Sequence, residues 1–369
     1  MNNERHYSVR PGEVILHGKE PVAVKYRRDL RSYLNQYPRG NNRNDLKRRL
    51  RSYTESGFYS ACFELFLYQL LVSRSKKVIP HPALPNITTH PEFEVTHDLC
   101  SFFLEATLAL ESEEYQAQEY RLRELVDTLR DVKGGMILWA QPATHLPSDF
   151  PLDSVREFLG REVDRLNVTD IQLPKTLTFE TIFNDQSVVI DFEVMDDNQE
   201  GSESVVQAWG SPQARVITTH HRIRRRVGVK AGKYGEMTIP YVIAVWPRPE
   251  FPLFKETALN ALYGDRQVHL SRKLGGIVGE SRAWNGAFNT VVEGNLLNRQ
   301  VSAVALYCER FLASSYSRQL YIYHNPYATK PIPEHIFSDL PQFVFRKNDG
   351  NDGNMHWLGG ADPWEVDTY

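Results

Sequence analysis

The chain has 369 residues, of which 41% are hydrophobic and 24% are charged, and its formal net charge is -3. This composition is typical of a folded chain long enough for two domains, or for one domain with a large elaboration, and it excludes disorder over most of the length. The small net charge excludes a protein that coats nucleic acid through an overall basic surface, but it is compatible with a local basic groove.

The spacing of the cysteines and the length of the apolar runs exclude further classes of protein. Cys62, Cys100 and Cys308 are far apart and lie in apolar surroundings, so we expect buried, reduced thiols. No CxxC pair is present, which excludes a zinc ribbon. The first residues lack the apolar stretch of a signal peptide, and no apolar run reaches the length of about 20 residues that spans a bilayer. We therefore expect a soluble, cytoplasmic protein.

The first predicted elements are helices. Residues 1–52 are polar and basic, and two short helices are expected there. Residues 58–73 predict a helix with apolar positions on nearly every side, which is typical of a buried helix. Glu64 lies in the middle of this helix, and a buried charge is costly unless a partner compensates it. Glu64 is therefore the first residue that suggests a functional site.

Strands follow the buried helix. After a short strand and a proline-rich loop, segments 91–97 and 101–110 have strand patterns, and the few residues between them suit a hairpin turn. A helix is predicted at 113–131 and a buried strand at 136–141. The predicted order is therefore helix, three strands, helix and strand.

The second half continues the mixture of helices and strands. It predicts a hairpin at 176–195, a basic helix at about 214–232, a helix at 253–264, and strands at 239–246, 301–308 and 319–326. This mixture indicates an α/β protein with a mixed sheet. The predicted divisions are a basic helical segment at 1–52, a core at 53–142, a linker and helix at 143–165, a second α/β region at 166–346 and a loose tail at 347–369.

Three glutamates on the first elements form a candidate metal site. Glu92 begins one strand of the predicted hairpin and Glu105 lies within the other, so their side chains can face each other across the pair. The helix that carries Glu64 is expected to cover the same face. Carboxylates placed together repel one another unless a cation joins them, and oxygen ligands suit Mg²⁺. A bound Mg²⁺ can activate water and stabilise a phosphoryl transition state.

This arrangement resembles the PD-(D/E)XK nuclease superfamily. The likeness rests on the helix with Glu64, on the Pro-Glu92 pair at a strand start, and on Glu105 followed by Ala and Thr in the next strand. It covers about 58–141 and implies the restriction-endonuclease-like fold, a mixed central sheet flanked by helices, here with a second α/β portion towards the C-terminus. The chain also resembles a group of bacterial proteins with similar PHPxLP and EAT segments, which implies no activity.

The resemblance implies roles for individual residues. Glu64 would match the core-helix glutamate, Glu92 the aspartate of the PD pair, and Glu105 the acidic residue of the (D/E)XK element. Glu92 and Glu105 would hold the metal, Mg²⁺ or Mn²⁺, and Glu64 would support it or hold a second ion. Thr107 would fall at the place of the lysine.

Two positions depart from the superfamily pattern. Glu92 is one methylene longer than an aspartate, and Thr107 has no positive charge, whereas the lysine would position the water and offset the phosphate charge. Without a replacement group the site would be inactive. The residues close in sequence that could supply a cation, a ligand or a base are Lys76, Lys77, Arg121, His81 and His90.

A basic helix is the candidate nucleic-acid contact. The cations that would meet DNA phosphates are Arg222, Arg224, Arg225, Arg226 and Lys230. On a helix, residues 222, 226 and 230 share a face, and such contacts give binding that weakens with salt. The alternative is a solvated helix face that pairs with the acidic loop at 196–203.

Three functions follow from these observations. The first is a metal-dependent DNA endonuclease, in a bacterial restriction or anti-phage setting that the resemblance implies, with a protein partner or a second copy of the chain as a further expectation. The second is a catalytically degenerate nuclease fold that binds nucleic acid or serves as an assembly subunit. The third is a structural protein in which the three glutamates are coincidental. A membrane partner is not expected.

Overall fold

The computed structural model describes residues 15–52, 54–85, 88–97, 100–110, 113–129, 132, 136–165, 175–196, 219–247, 255–271, 276–311, 315–347 and 353–358. They form two compact units, which we call the core unit (15–110 and 219–358) and the insertion unit (113–196). The insertion unit therefore interrupts the sequence of the core unit once.

Both units contain helices as well as strands. In chain order, the helices are α1 (Pro21–Gln36), α2 (Asn41–Arg49), α3 (Glu55–Val72), α4 (Glu113–Leu129), α5 (Asp153–Arg165), α6 (Thr219–Ala231), α7 (Lys255–Tyr263) and the 3₁₀ turn Glu334–Phe337. The strands are β1 (Lys77–Pro80), β2 (Phe93–His97), β3 (Cys100–Ala109), β4 (Met136–Pro142), β5 (Lys175–Phe183), β6 (Gln186–Asp196), β7 (Tyr241–Pro247), β8 (Arg266–Ser271), β9 (Gly276–Arg282), β10 (Val291–Val292), β11 (Asn295–Leu296), β12 (Ala303–Phe311), β13 (Tyr316–His324), β14 (Gln342–Lys347) and β15 (Gly353–Trp357).

Helix α3 confirms the buried helix predicted at 58–73. It begins after Thr54, whose hydroxyl oxygen accepts a hydrogen bond from Gly57 N at 3.3 Å. Glu55 lies in the first turn, where the helix dipole favours a negative charge. Buried residues lie on all sides of the helix because α1, α2 and the sheet all contact it.

An eight-stranded mixed sheet forms the centre of the core unit, in the order β1-β2-β3-β7-β12-β13-β14-β15. Strands β2 and β3 pair antiparallel, which confirms the predicted hairpin, and β3 pairs parallel with β7. Strand β7 pairs parallel with β12, and β12 pairs antiparallel with β13. The protein is therefore a mixed α/β structure in which helices flank a large mixed sheet.

Strand β3 is buried on both faces of the sheet. Phe102 and Leu104 belong to the apolar cluster that contains α3, whereas Phe103 belongs to the cluster that contains Ile223 and Val227 of α6. Successive side chains of a strand point to opposite faces. The side chain of residue 105 therefore lies on the α6 face of the sheet, opposite to α3.

The domain boundaries drawn on the sequence differ from this architecture. The predicted core at 53–142 includes β4, but β4 pairs with β6 in the insertion unit. The parallel partner of β3 is β7, which the sequence places in the second region at 166–346. The reason is physical: the pairing partner of a strand depends on tertiary contacts, and periodicity within the strand does not specify it.

The insertion unit has its own core. Its three-stranded sheet has the order β4-β6-β5, and apolar residues of α4 and α5 pack with those of β5 and β6. The β5–β6 hairpin confirms the one predicted at 176–195, and its turn places Asn184 and Asp185 at φ values of 46° and 61°. Asn and Asp tolerate this left-handed region better than most residues, as the turn requires.

The end of the chain also differs from expectation. The segment predicted as a loose tail at 347–369 contains β15, which pairs antiparallel with β14. The buried indole of Trp357 packs against Phe343 with 5.1 Å between ring centroids. This apolar anchor explains the strand, whereas the Gly-, Asn- and Asp-rich composition around it favours a loop. Residues 359–369 lie outside the described part of the chain.

Two further expectations concern cysteines and membranes. Cys62, Cys100 and Cys308 are free thiols; the first and last are buried, and Cys100 is partly exposed. Within the described residues, the structure contains no helix whose length and apolar character would allow it to cross a membrane.

Candidate functional site

Glu92 and Glu105 meet where the pairing of β2 with β3 ends. The register pairs Phe93 with Leu104, so Glu92 lies just outside the ladder at the level of Glu105. Strand β3 continues beyond this point, and the Glu92 carboxylate accepts a hydrogen bond from the N–H of Ala106 at 3.0 Å. The predicted hairpin geometry therefore brings the two carboxyl groups together, so that each shifts the pKa of the other.

Glu105 is enclosed by donors from α6 and the turn after it. The side chain is 0% exposed. Its Oε1 accepts hydrogen bonds from the ammonium groups of Lys230 and Lys233, the latter at 2.9 Å. The hydroxyl of Tyr234 donates to Oε2 at 2.5 Å and is 2.7 Å from the backbone carbonyl oxygen of His90. Both carboxylate oxygens of Glu105 are thus held in place.

The pKa values of the two glutamates are shifted in opposite directions. Burial raises the pKa of Glu92 well above its ordinary value, and its hydrogen bond with Glu105 and the charge of Glu105 raise it further. Burial also opposes ionisation of Glu105, but the hydrogen bond from Glu92 and the charge of Lys230 outweigh it and lower the pKa of Glu105. The surroundings therefore favour the neutral form of Glu92 and the ionised form of Glu105.

Helix α6 delivers Lys230 to this point. Ile223, Val227 and Ala231 are buried at spacings of four residues, which fixes the face that α6 turns to the sheet. Lys230 lies beside that face, with 19% of its side chain exposed. The sequence suggested phosphate contact for Lys230 and placed neither Lys233 nor Tyr234 in the site. A Lys-x-x-Lys-Tyr segment between a helix and the buried strand β7 was the signal that could have found them.

Glu64 belongs to a different cluster. Its side chain is 3% exposed, and its oxygens accept hydrogen bonds from the hydroxyl of Tyr37 at 2.8 Å and from the guanidinium of Arg49. The ring nitrogen Nε2 of His81 lies 3.1 Å from Oε1. Burial works against the ionised form, but His81 and Arg49 outweigh it and lower the pKa of Glu64. Glu64 does not join Glu92 and Glu105, and the expectation that its helix covers their face of the sheet is wrong: α3 packs on the face of β3 opposite to residue 105.

One residue links the two clusters. The ring of His81 contacts Glu64, while its backbone N–H donates to the carbonyl oxygen of Glu92 at 2.8 Å. His81 has a φ of 48°, in the left-handed region that non-glycine residues adopt only with support. Glu64 therefore contacts the residue that binds the backbone of Glu92 and does not itself join the carboxyl pair.

The other replacement groups that the sequence suggested lie elsewhere. Lys77 pairs with Thr96, four residues along the ladder from Glu92, which is about 13 Å at about 3.3 Å per residue, and Lys76 lies one residue further. Arg121 belongs to the insertion unit, where it contacts Glu124 and the carbonyl oxygens of residues 147 and 150. None of these cations contacts the glutamate pair in the described structure.

Thr107 shares the α6 face of β3 with Glu105, since the two are two residues apart. It is buried, and it cannot carry the charge that a lysine would bring to this place. Lys230 and Lys233 reach the carboxylate from the helix side instead.

The predicted basic face of α6 has two parts. Arg222 donates to the carbonyl oxygen of Ala109 and to the Thr219 hydroxyl, and Arg224 pairs with Asp265 at 2.8 Å. Both guanidinium groups therefore stabilise the core unit. Arg225 and Arg226 are exposed. The alternative partner of this helix was the acidic loop at 196–203, and residues 197–203 lie outside the described residues. The first residues of the predicted helix, 214–218, lie outside them as well.

Glu92 and Glu105 are the residues of this site that could hold a metal ion. Among the described residues, no group of three or more His, Cys, Asp or Glu is arranged to hold a metal. Mg²⁺ nevertheless needs only one or two protein carboxylates, because it keeps several waters. Glu105 already pairs with Lys230 and Lys233, so a cation would compete with these two ammonium groups for the carboxylate.

Comparison with known proteins gives no match to this chain: no family model, no curated protein and no solved structure.

Proposed function

We propose that this protein is a metal-dependent DNA endonuclease whose core unit has the restriction-endonuclease-like fold. Helix α3, strands β1, β2 and β3, helix α6 and strand β7 supply the order helix, three strands, helix and strand, with the insertion unit placed before α6. The observation that carries the proposal is the contact of Lys230 with Glu105 beside Glu92. It supplies the positive charge that Thr107 lacks.

Glu92 and Glu105 would hold the metal, Mg²⁺ or Mn²⁺. When bound, the ion would activate a water and neutralise charge on the phosphoryl group. Because burial raises the pKa of Glu92, binding of the ion would have to displace a proton from this carboxyl group. Ala106 N–H keeps the Glu92 carboxylate at the end of the ladder throughout.

Lys230 has two tasks in this proposal. Its ammonium group keeps Glu105 ionised despite burial, and its partial exposure allows it to face a phosphate as well. A fixed positive charge near a phosphoryl group stabilises the charge that develops during cleavage. Lys233 and Tyr234 hold Glu105 from the same side, so the carboxylate does not turn away when Lys230 contacts the phosphate.

Arg225 and Arg226 extend the positive surface along α6. Residues 226 and 230 are one helical turn apart and share a face, so a DNA strand with a phosphate at Lys230 would meet Arg226 next. Such backbone contacts position DNA without reading its sequence.

A degenerate, DNA-binding nuclease fold is the second candidate. The observation in its favour is that Glu105 is already fully buried and satisfied by two ammonium groups and a hydroxyl. A carboxylate neutralised in this way attracts a metal ion less strongly than a free one.

Plasmid cleavage separates the two functions. We expect the native protein with Mg²⁺ or Mn²⁺ to nick or cut plasmid DNA, and Glu105→Gln to abolish this. Glu236→Gln is the matched control, because it removes the same charge from an exposed residue just after Tyr234. Binding that weakens with salt but without any cleavage would favour the degenerate fold. Equal cleavage by the native protein and Glu105→Gln would refute the proposed site.

A further inference from the structure

Trp284 is a large aromatic side chain that the core unit leaves in solvent. It is 62% exposed, although the residues after it in the same loop, Ala287 and Phe288, are buried. The indole therefore offers a large, flat apolar face to solvent.

The loop that carries Trp284 is held firmly from both sides. The amide of Asn285 donates to Asp265 at 2.6 Å, and the amide of Asn289 donates to the carbonyl oxygen of Ala283 at 3.0 Å. Gly264 fits beneath the loop, since a Cβ there would lie 1.8 Å from the same carbonyl oxygen. These bonds fix the backbone on both sides of Trp284, so the indole is presented on a rigid support.

An aromatic ring and two cations accompany the indole. The ring of Tyr327 lies 6.4 Å from that of Trp284. Two residues further along the chain, the N–H of Thr329 donates to the carbonyl oxygen of Arg299 at 2.8 Å, which places exposed Arg299 beside the segment with exposed Lys330. We call Trp284, Tyr327, Arg299 and Lys330 the Trp284 platform.

The Trp284 platform adjoins the glutamate pair through one backbone segment. Gln300 follows Arg299, and its amide donates to the carbonyl oxygen of Ala231 at 2.8 Å, at the end of α6. Tyr234, which contacts Glu105, lies three residues beyond Ala231. The segment that carries Arg299 is therefore joined to the end of α6, the helix that supplies Lys230 to Glu105.

We propose that the Trp284 platform stacks an unpaired nucleobase of a DNA strand whose phosphates contact Arg299 and Lys330. This rests on the proposed function and adds that the substrate has a single-stranded segment. Every nucleobase offers a flat π face, so stacking tolerates any sequence, and nearby cations match the phosphates. A neutral sugar would also stack on an indole, but it would make no use of the two cations.

Binding of a single strand in the absence of divalent metal tests this. Fluorescein-labelled dodecathymidylate is titrated with the protein in EDTA, and the anisotropy gives the dissociation constant. We expect Trp284→Ala to weaken binding by about 5- to 150-fold, the range for loss of one base–aromatic stack, and Trp284→Phe to stay within about threefold of the native protein. Because Trp284 is exposed, its substitution should leave the thermal midpoint unchanged.

Ile182→Ala serves as the control, since Ile182 is an exposed apolar residue of the insertion unit. A blunt duplex of the same length is the second probe, and its affinity should depend little on Trp284. Equal single-strand affinity of the native protein and Trp284→Ala would overturn the inference. An equal loss for the single strand and the blunt duplex would also overturn it. Because no metal is present, these results do not depend on whether the plasmid is cleaved.

Discussion

Replacing Lys230 by methionine removes a positive charge from a carboxylate without access to solvent. Loss of one partner from a buried ion pair costs about 3–5 kcal/mol. Lys233 still donates to the same oxygen of Glu105 at 2.9 Å, and Lys230 is itself 19% exposed. We therefore expect a smaller loss in the free energy of unfolding, about 1–3 kcal/mol, which is the range for a hydrogen bond to a charged group.

Urea unfolding followed by circular dichroism at pH 7 measures this loss. Lys47→Met is the matched control, because Lys47 is an exposed residue of α2, and its replacement should change the free energy of unfolding by less than about 0.5 kcal/mol. Lys230→Arg retains a positive charge and should recover part of the stability. If Lys230→Met unfolds at the same urea concentration as the native protein, the charge on Glu105 does not depend on Lys230, and the electrostatic role assigned to this lysine is refuted.

The same variant separates stability from function. Lys230→Met should lose DNA cleavage at a temperature where circular dichroism shows it folded, whereas its DNA affinity should fall only modestly, because Arg225 and Arg226 remain. Cleavage at the native rate would contradict the role proposed for Lys230.

Three further predictions concern other residues. Glu64→Gln should lower the free energy of unfolding most at neutral pH. The pKa of Glu64 in the folded state lies below the ordinary 4.5, so the stability that its ionised form contributes is complete above 4.5 and is lost as the pH falls through the folded value. An equal loss of stability in acid would contradict this. Gly264→Ala should lower the free energy of unfolding by about 2–4 kcal/mol, because φ is +98° and the new Cβ would meet a carbonyl oxygen. Gly160→Ala is the control, since open space surrounds Gly160 and its substitution should not destabilise the protein; urea unfolding compares the two variants. Replacing Arg225 and Arg226 by alanine should reduce the slope of log affinity against log salt by about 2; an unchanged slope would mean that neither contacts phosphate.

Local elements follow directly from the sequence. The apolar positions around Glu64 specify α3, and the strand patterns of 91–97 and 101–110 specify β2 and β3 with the correct pairing. Because the register follows from a short connection, the meeting of Glu92 with Glu105 was also predictable. These features depend on residues close together in the chain, where side-chain period and turn length limit the alternatives.

The long-range features could not be predicted in the same way. A helix that is apolar on all sides does not show which face of the sheet it covers, so Glu64 was wrongly expected on the face of Glu92 and Glu105. Lys230 lies on α6, just before β7, and it contacts Glu105 because β7 pairs with β3. The whole insertion unit separates these two strands in the sequence. Lysine on a basic helix is more often a solvated residue than a partner of a buried carboxylate, and the pattern of residues along the helix is the same in both cases.

Arg222 connects two points of the core unit, and the insertion unit lies between these points in the sequence. Its guanidinium group donates to the carbonyl oxygen of Ala109, at the end of β3, and to the hydroxyl of Thr219, at the start of α6. The chain therefore leaves and rejoins the core unit within the span of one side chain. Closing a loop between fixed points becomes only about 0.6 kcal/mol more costly when its length doubles. A short Gly-Ser linker could replace 111–216, and a foreign domain with neighbouring termini could be grafted there, because one side chain already spans the two ends of the core unit.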